Sequence, residues 1–425
     1  MRHPILRTAV LLLLAAGCGG APKGAGSDGI PSPSGKRGDG PKRDISTEAR
    51  DDYASAAESF AAADKAGRWS ESQCRQMADR FAAVAREHKN LVEAQYMVGL
   101  SYHRCNLNKE AESAYQKAQG HAQSQSNLGE IYYQAGKVDT AKQYWQAALK
   151  INDKLVAAHT NVASLLLEEL RTTKPGKSWD ALEKEIRDHL SSALAVDANS
   201  IKAYTLYGLL YMEGWERNKN RLDLAKLLLD EGDKRDATYA PLKNARGIYF
   251  MLKNNQSEAL QQFLAAVKLD SSFVEARLNI GLTTVGFRKY DTAKEQFEKV
   301  IELDGKNYRA YIGLGIALRG LGDLDGAESA YKKAKDLEPQ RGDAYFNLGV
   351  LYKDFRASKQ DDLRASQQSY RTARDYFREF MNKDGNPKDK DEAKGNIGDC
   401  DKLISQLEEF IKNQQNQPAA AGGQP

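Results

Sequence analysis

The sequence predicts an all-α protein, a solenoid of stacked antiparallel helix pairs. Three observations lead there. Gly247, Gly281, Gly315 and Gly349 stand 34 residues apart, and a fixed period of that size marks a repeat architecture. The apolar residues between them keep helical spacing: in "DTAKEQFEKVIELDGKNYRA", Ala293, Phe297, Val300 and Ile301 share one face with no strand alternation. Glycine is dense in "AYIGLGIALRGLGDLDGAESAYKKAKDLEP" (Gly313, Gly315, Gly320, Gly322 and Gly326), yet no strand precedes it. A phosphate-cradling loop needs that strand. These glycines therefore pack and cap helices.

Each residue of that copy has a packing reason. Gly315, Ala327 and Ala334 are small where two helices cross, and Leu314, Leu318 and Tyr331 fill the space between them. Gly322 ends the first helix in a left-handed conformation. Pro339 lies beyond the second, which it cannot continue. With Tyr311 this pattern resembles the tetratricopeptide repeat (TPR), a helix–turn–helix unit of the same period. The resemblance implies a right-handed superhelix whose first helices line a concave groove.

The elements follow in order. "MRHPILR" is basic, "TAVLLLLAA" apolar and too short to span a bilayer, so residues 1–17 read as an export signal. Cys18 follows three small residues, as in the lipobox of bacterial lipoproteins, although Ala15 stands where that family usually has Leu. The alternative is a secretory signal cut after Gly17. The lipoprotein resemblance implies acyl chains, palmitate among them, on Cys18. Gly19 in place of Asp implies the periplasmic face of the outer membrane. Residues 18–45, rich in Gly, Pro and Ser, read as a disordered tether with a reach of roughly 30 Å. Residues 46–88 form a TPR-like helix pair, and 89–388 hold about eight repeats, centred on Gly99, Gly129, Ala163, Gly208, Gly247, Gly281, Gly315 and Gly349. Insertions near "RTTKPGKSWD", "GWERNKN" and "KDFRASKQDDLRASQQS" lengthen helices or bulge loops. A polar helix over 389–413 caps the stack, and 414–425 is a disordered tail.

Composition excludes several classes. With 62 basic against 58 acidic residues, net charge +4, and no basic stripe, nucleic acid is an improbable partner. "KPGKS" (Lys174–Ser178) lacks the first glycine of a P-loop. His88, His103, His121, His159 and His189 never pair at ligand spacing along the sequence, and no serine lies in a G-x-S-x-G setting. No metal, cofactor or catalytic residue is expected, and the chain reads as non-enzymatic.

Two constellations remain. Asn127, Asn161, Asn279 and Asn347 each precede the small site of their repeat by two residues. In TPR superhelices that face lines the groove, where asparagine can bond a peptide backbone or simply be common. Met97, Leu206, Ala245 and Gly313 interrupt the row. Glu275, Arg309, Arg319, Asp343 and Lys353 should line the same face and set specificity by charge. The second constellation is Cys74 and Cys105. In a TPR stack the end of one first helix meets the start of the preceding second helix, and both cysteines fall there. An exported chain would join them; two buried free thiols are the alternative.

The function read from these features is a lipid-anchored scaffold that binds envelope proteins through an extended peptide or helix in its groove. The lipobox, the tether, "SQCRQMADRF" and "VGLSYHRCNLNKEAESAYQKA" are similar to the myxobacterial gliding-motility TPR lipoproteins, which implies a multiprotein envelope machine. The alternatives are an assembly lipoprotein, of pilotin or barrel-assembly type, and a peptidoglycan-active accessory protein or enzyme.

Overall fold

The computed structural model describes residues 31, 45–67, 69–383 and 387–416. The export segment, Cys18, nearly all of the tether and the tail from 417 onward lie outside them. Among the described residues there are nineteen α-helices and no strand. The chain divides into two compact units, one ending at Tyr249 and the other beginning at Phe250.

The N-terminal unit pairs α1 (Thr47–Ala66) with α2 (Glu71–Glu87), α3 (Val92–His103) with α4 (Asn108–Lys117), and α5 (Ala122–Gln134) with α6 (Val138–Ile151). It continues with α7 (Val156–Thr172) and α8 (Lys177–Val196), then α9 (Ile201–Glu213) and α10 (Arg221–Arg235). The unit boundary falls within α11 (Ala240–Leu252). Ser46 caps α1, accepting from the Ala49 amide at 3.1 Å, and Ser70 with Gln73 forms a reciprocal capping box on α2. Packing begins at Ile45, which is buried with Ala49, Tyr53 and Phe60. The Tyr53 hydroxyl donates to the Pro31 carbonyl at 2.8 Å. The first insertion has lengthened α7 and α8 to 17 and 20 residues; the second forms a turn-rich loop between α9 and α10.

The C-terminal unit holds α12 (Gln256–Leu269), α13 (Val274–Gly286), α14 (Tyr290–Leu303), α15 (Tyr308–Leu321) and α16 (Leu324–Leu337). It closes with α17 (Asp343–Val350), α18 (Leu363–Met381) and α19 (Pro387–Asn416). Here the third insertion becomes a π-helical turn, Leu351–Arg356, and a short 3-10 turn, Ala357–Lys359. Arg356 anchors that π turn to Glu328 of α16 at 2.6 Å.

The crossings explain the small residues. A Cβ added at Gly315 would fall on the ring of Tyr331, at Gly129 on Trp145, and at Gly349 on Phe377, each closer than 3.0 Å. Gly322 ends α15 at φ 86°. The same turn, 34 residues earlier each time, puts Arg288 at φ 57° and Asn254 at φ 58°.

Candidate protein-binding face

Successive first helices touch one another within each unit: α3 with α5 and α7 with α9 in one, α13 with α15 and α15 with α17 in the other. Each unit thus carries a face made of first helices, because small residues let the second helix of each pair close behind.

In the N-terminal unit polar side chains bridge this face. Tyr133 of α5 donates to Glu168 of α7 at 2.6 Å, and Lys202 of α9 donates to the Asn161 side-chain oxygen of α7. Burial raises the Glu130 carboxyl above its ordinary value, with Lys202 opposing. Arg171 of α7 donates to Glu213 at the end of α9 at 2.6 Å. Asn127 donates to the Tyr115 hydroxyl of the preceding pair at 3.0 Å.

In the C-terminal unit Glu275, Arg309 and Asp343 recur at one position of consecutive pairs, 34 residues apart, and all three are half-buried. Charge alternates along that row. Arg341 donates to Asp343 at 3.0 Å. Burial, and then the neighbouring Asp343, raises the Asp389 carboxyl of α19. Arg319, only 8% exposed, lies over the Phe355 ring at 5.2 Å.

Several residues sit otherwise than the sequence suggests. Asn279 has no exposed surface, since its helix is covered on that side, and so cannot reach a ligand. Asn347 spends its amide on the Asp343 carbonyl of its own helix at 2.8 Å. Lys353 lies in the π turn, which swings it to α19, where it donates to Asn396 at 2.8 Å and Asp399 at 3.1 Å. The asparagines are therefore largely engaged within the protein, and what distinguishes the charged row is its alternation of sign at a fixed position of consecutive pairs. "KPGKS" connects two helices, with no strand before it.

Cys74, at the start of α2, and Cys105, just past α3, have Cα atoms 6.3 Å apart and sulfurs in bonding contact. Cys400 is a buried free thiol, and burial pushes it up to about 11.

The histidines hold what sequence spacing concealed. His159 and His189, far apart in the chain, meet with their Nδ1 atoms 2.9 Å apart. His159 Nε2 donates to the Asp153 carbonyl at 2.7 Å, so its Nδ1 accepts from His189 when both rings are neutral. Burial, and then His159, lowers the His189 value. His88 Nε2 lies 2.8 Å from Asp52 Oδ2. A usable signal existed. In an antiparallel pair, residues equidistant from the turn face each other, and His159 and His189 each lie 15 residues from Lys174.

Residues 278–342 match one family model of the tetratricopeptide repeat, and residues 122–155 match another; these stretches are tetratricopeptide repeats. No curated protein matches the chain in sequence. Among solved structures the chain is similar to a thermophilic TPR protein of Thermus thermophilus, at 22% identity over 48% of this chain and 98% of that one, TM-score 0.39. It is similar to PilF of Pseudomonas aeruginosa, at 21% identity over 59% and 99%, TM-score 0.39. It is also similar to PilW, a type IV pilus biogenesis factor, at 15% identity over 52% and 92%, TM-score 0.41.

Proposed function

We propose that this chain is a lipid-anchored, non-enzymatic scaffold on the periplasmic face of the bacterial outer membrane. Its first-helix faces bind segments of other envelope proteins. The observation that carries the reading is the alternating row Glu275, Arg309 and Asp343, which lies on first helices within, and beside, a stretch of tetratricopeptide repeats. Fixed charges of both signs along a row suit an extended segment or helix of complementary sequence, and such complementarity sets partner choice more than affinity. Two features support the compartment. The residues leading to Cys18 resemble a lipobox, and the contact of Cys74 with Cys105 is one that an oxidising compartment makes permanent. Within that class we favour a role in gliding motility, because the lipobox, the tether, "SQCRQMADRF" and "VGLSYHRCNLNKEAESAYQKA" look like those of the gliding-motility lipoproteins.

Cross-linked affinity capture from envelopes tests it. Proteins recovered by the wild type should be lost with Arg309→Glu plus Asp343→Lys, with helicity intact by circular dichroism. Recovery of the same proteins in the same yield would overturn the binding face. Cys18→Ser should move the protein from the membrane fraction to soluble periplasm. Continued sedimentation with membranes would overturn the anchor.

A further inference from the structure

We propose that Asp52, Glu87 and His88 form a binding site for a divalent cation of the zinc class. Asp52 lies in the second turn of α1. Glu87 is the last residue of α2, and His88 is its C-terminal cap. The antiparallel pairing of α1 with α2 brings the early part of one helix to the end of the other. There the His88 nitrogen and one oxygen from each carboxylate all lie within 4.8 Å of one another. Among the described residues no other trio of His, Cys, Asp or Glu converges this way.

The donor set selects the ion. One imidazole nitrogen with two carboxylate oxygens is a set that zinc accepts, with a fourth position left for water. Calcium prefers six or more oxygens, and magnesium a near-ideal octahedron of them, which three donors including an imidazole do not supply. Two ionised carboxylates balance the charge of a divalent ion. The negative end of the α2 dipole, beside Glu87 and His88, adds to the attraction. Access is open: the Asp52 side chain is 43% exposed, whereas that of His88 is 15% exposed and held in place. Asp52 Oδ2 and His88 Nε2 stand 2.8 Å apart, sharing a proton that the cation would replace after a small side-chain rotation. The ion would hold α1 to the end of α2, on the side of the helix pair away from Cys74.

Isothermal titration of untagged, disulfide-intact protein with zinc chloride tests the site, with the melting midpoint measured with and without chelator. The proposal expects saturable binding near one equivalent and a midpoint that falls on chelation. Asp52→Asn and His88→Ala should each weaken binding by at least roughly 10-fold, the loss that even an outer-shell change causes. His189→Ala should leave it unchanged, and calcium or magnesium should bind at least roughly 10-fold more weakly. Circular dichroism establishes that each variant is folded. An absence of saturable zinc binding in the wild type overturns the proposal. So does zinc binding that persists undiminished in both Asp52→Asn and His88→Ala, or equal affinity for calcium.

Discussion

Arg171 Nε and Glu213 Oε1 lie 2.6 Å apart with only 8% of either side chain exposed, which makes them a buried ion pair joining two first helices. Burial still raises the Glu213 carboxyl above its ordinary value, against the opposing pull of Arg171. Desolvation is the larger effect. A carboxyl raised by folding favours its protonated form. Its contribution is present below the unfolded value and is lost as pH rises through the folded one. Arg171→Met strands the carboxylate and should cost about 3–5 kcal/mol near neutral pH. Acidification should narrow the gap to wild type, because Glu213 then takes a proton. Adding Glu213→Leu should return stability close to wild type. Denaturant midpoints of the three proteins across pH check this.

Gly315→Leu should destabilise the C-terminal unit by roughly 1–3 kcal/mol or more. The added side chain meets the fully buried ring of Tyr331, which has nowhere to move. An unchanged melting curve would mean that the helix crossing is elsewhere.

Arg288 holds φ 57° and is exposed, at the turn position that Gly322 fills in the next repeat. A left-handed conformation costs an L-residue roughly 1–2 kcal/mol, partly offset by the greater freedom of glycine in the unfolded chain. Arg288→Gly should therefore stabilise by up to about 1 kcal/mol. The same change at an ordinary helical site would do the reverse. Calorimetry distinguishes the signs.

His103 is 9% exposed and its value is pushed down to about 4 by burial and then by Arg104. A histidine depressed by folding contributes stability that is complete above its unfolded value of 6.5 and is lost as pH falls through the folded one. About 3 kcal/mol of the N-terminal unit should disappear over that window. His103→Phe cannot charge and should flatten that part of the pH dependence of unfolding.

Cys105→Ser should lower the stability of the oxidised protein by roughly 3–4 kcal/mol, as the chain-entropy model gives for a loop of this length. In reductant the variant and the wild type should converge. Peptide mapping under non-reducing conditions provides the direct check: recovery of both thiols free from protein isolated from its native host without reductant would rule the bond out.

The sequence reveals the repeats because the period repeats its physics: small residues at crossings, an apolar stripe, a left-handed stop. Gly315 and Gly322 can be assigned one by one for that reason. It reveals the face less well. Asn279 and Lys353 share its sequence register, but how deeply a side chain is covered depends on neighbouring helices, and the insertion that begins at Lys353 does not reveal that it folds into a π turn carrying Lys353 to α19. Residues that meet only through hairpin geometry, such as His159 with His189, are invisible to spacing along the chain. Cys74 and Cys105 are legible through their position in the stack rather than their spacing.

The contact of Cys74 with Cys105 also has a mechanical meaning. A bond there sends any pull arriving from the amino-terminal side straight from one cysteine to the other, past α2 and α3. The chain between them, a sequence separation of 31, is then withheld from extension, roughly 100 Å at full stretch. Under load α1 could peel away, but the stack behind Cys105 would receive the force at a fixed point. A chain wired in this way shortens its own slack, transmitting tension early instead of unravelling first.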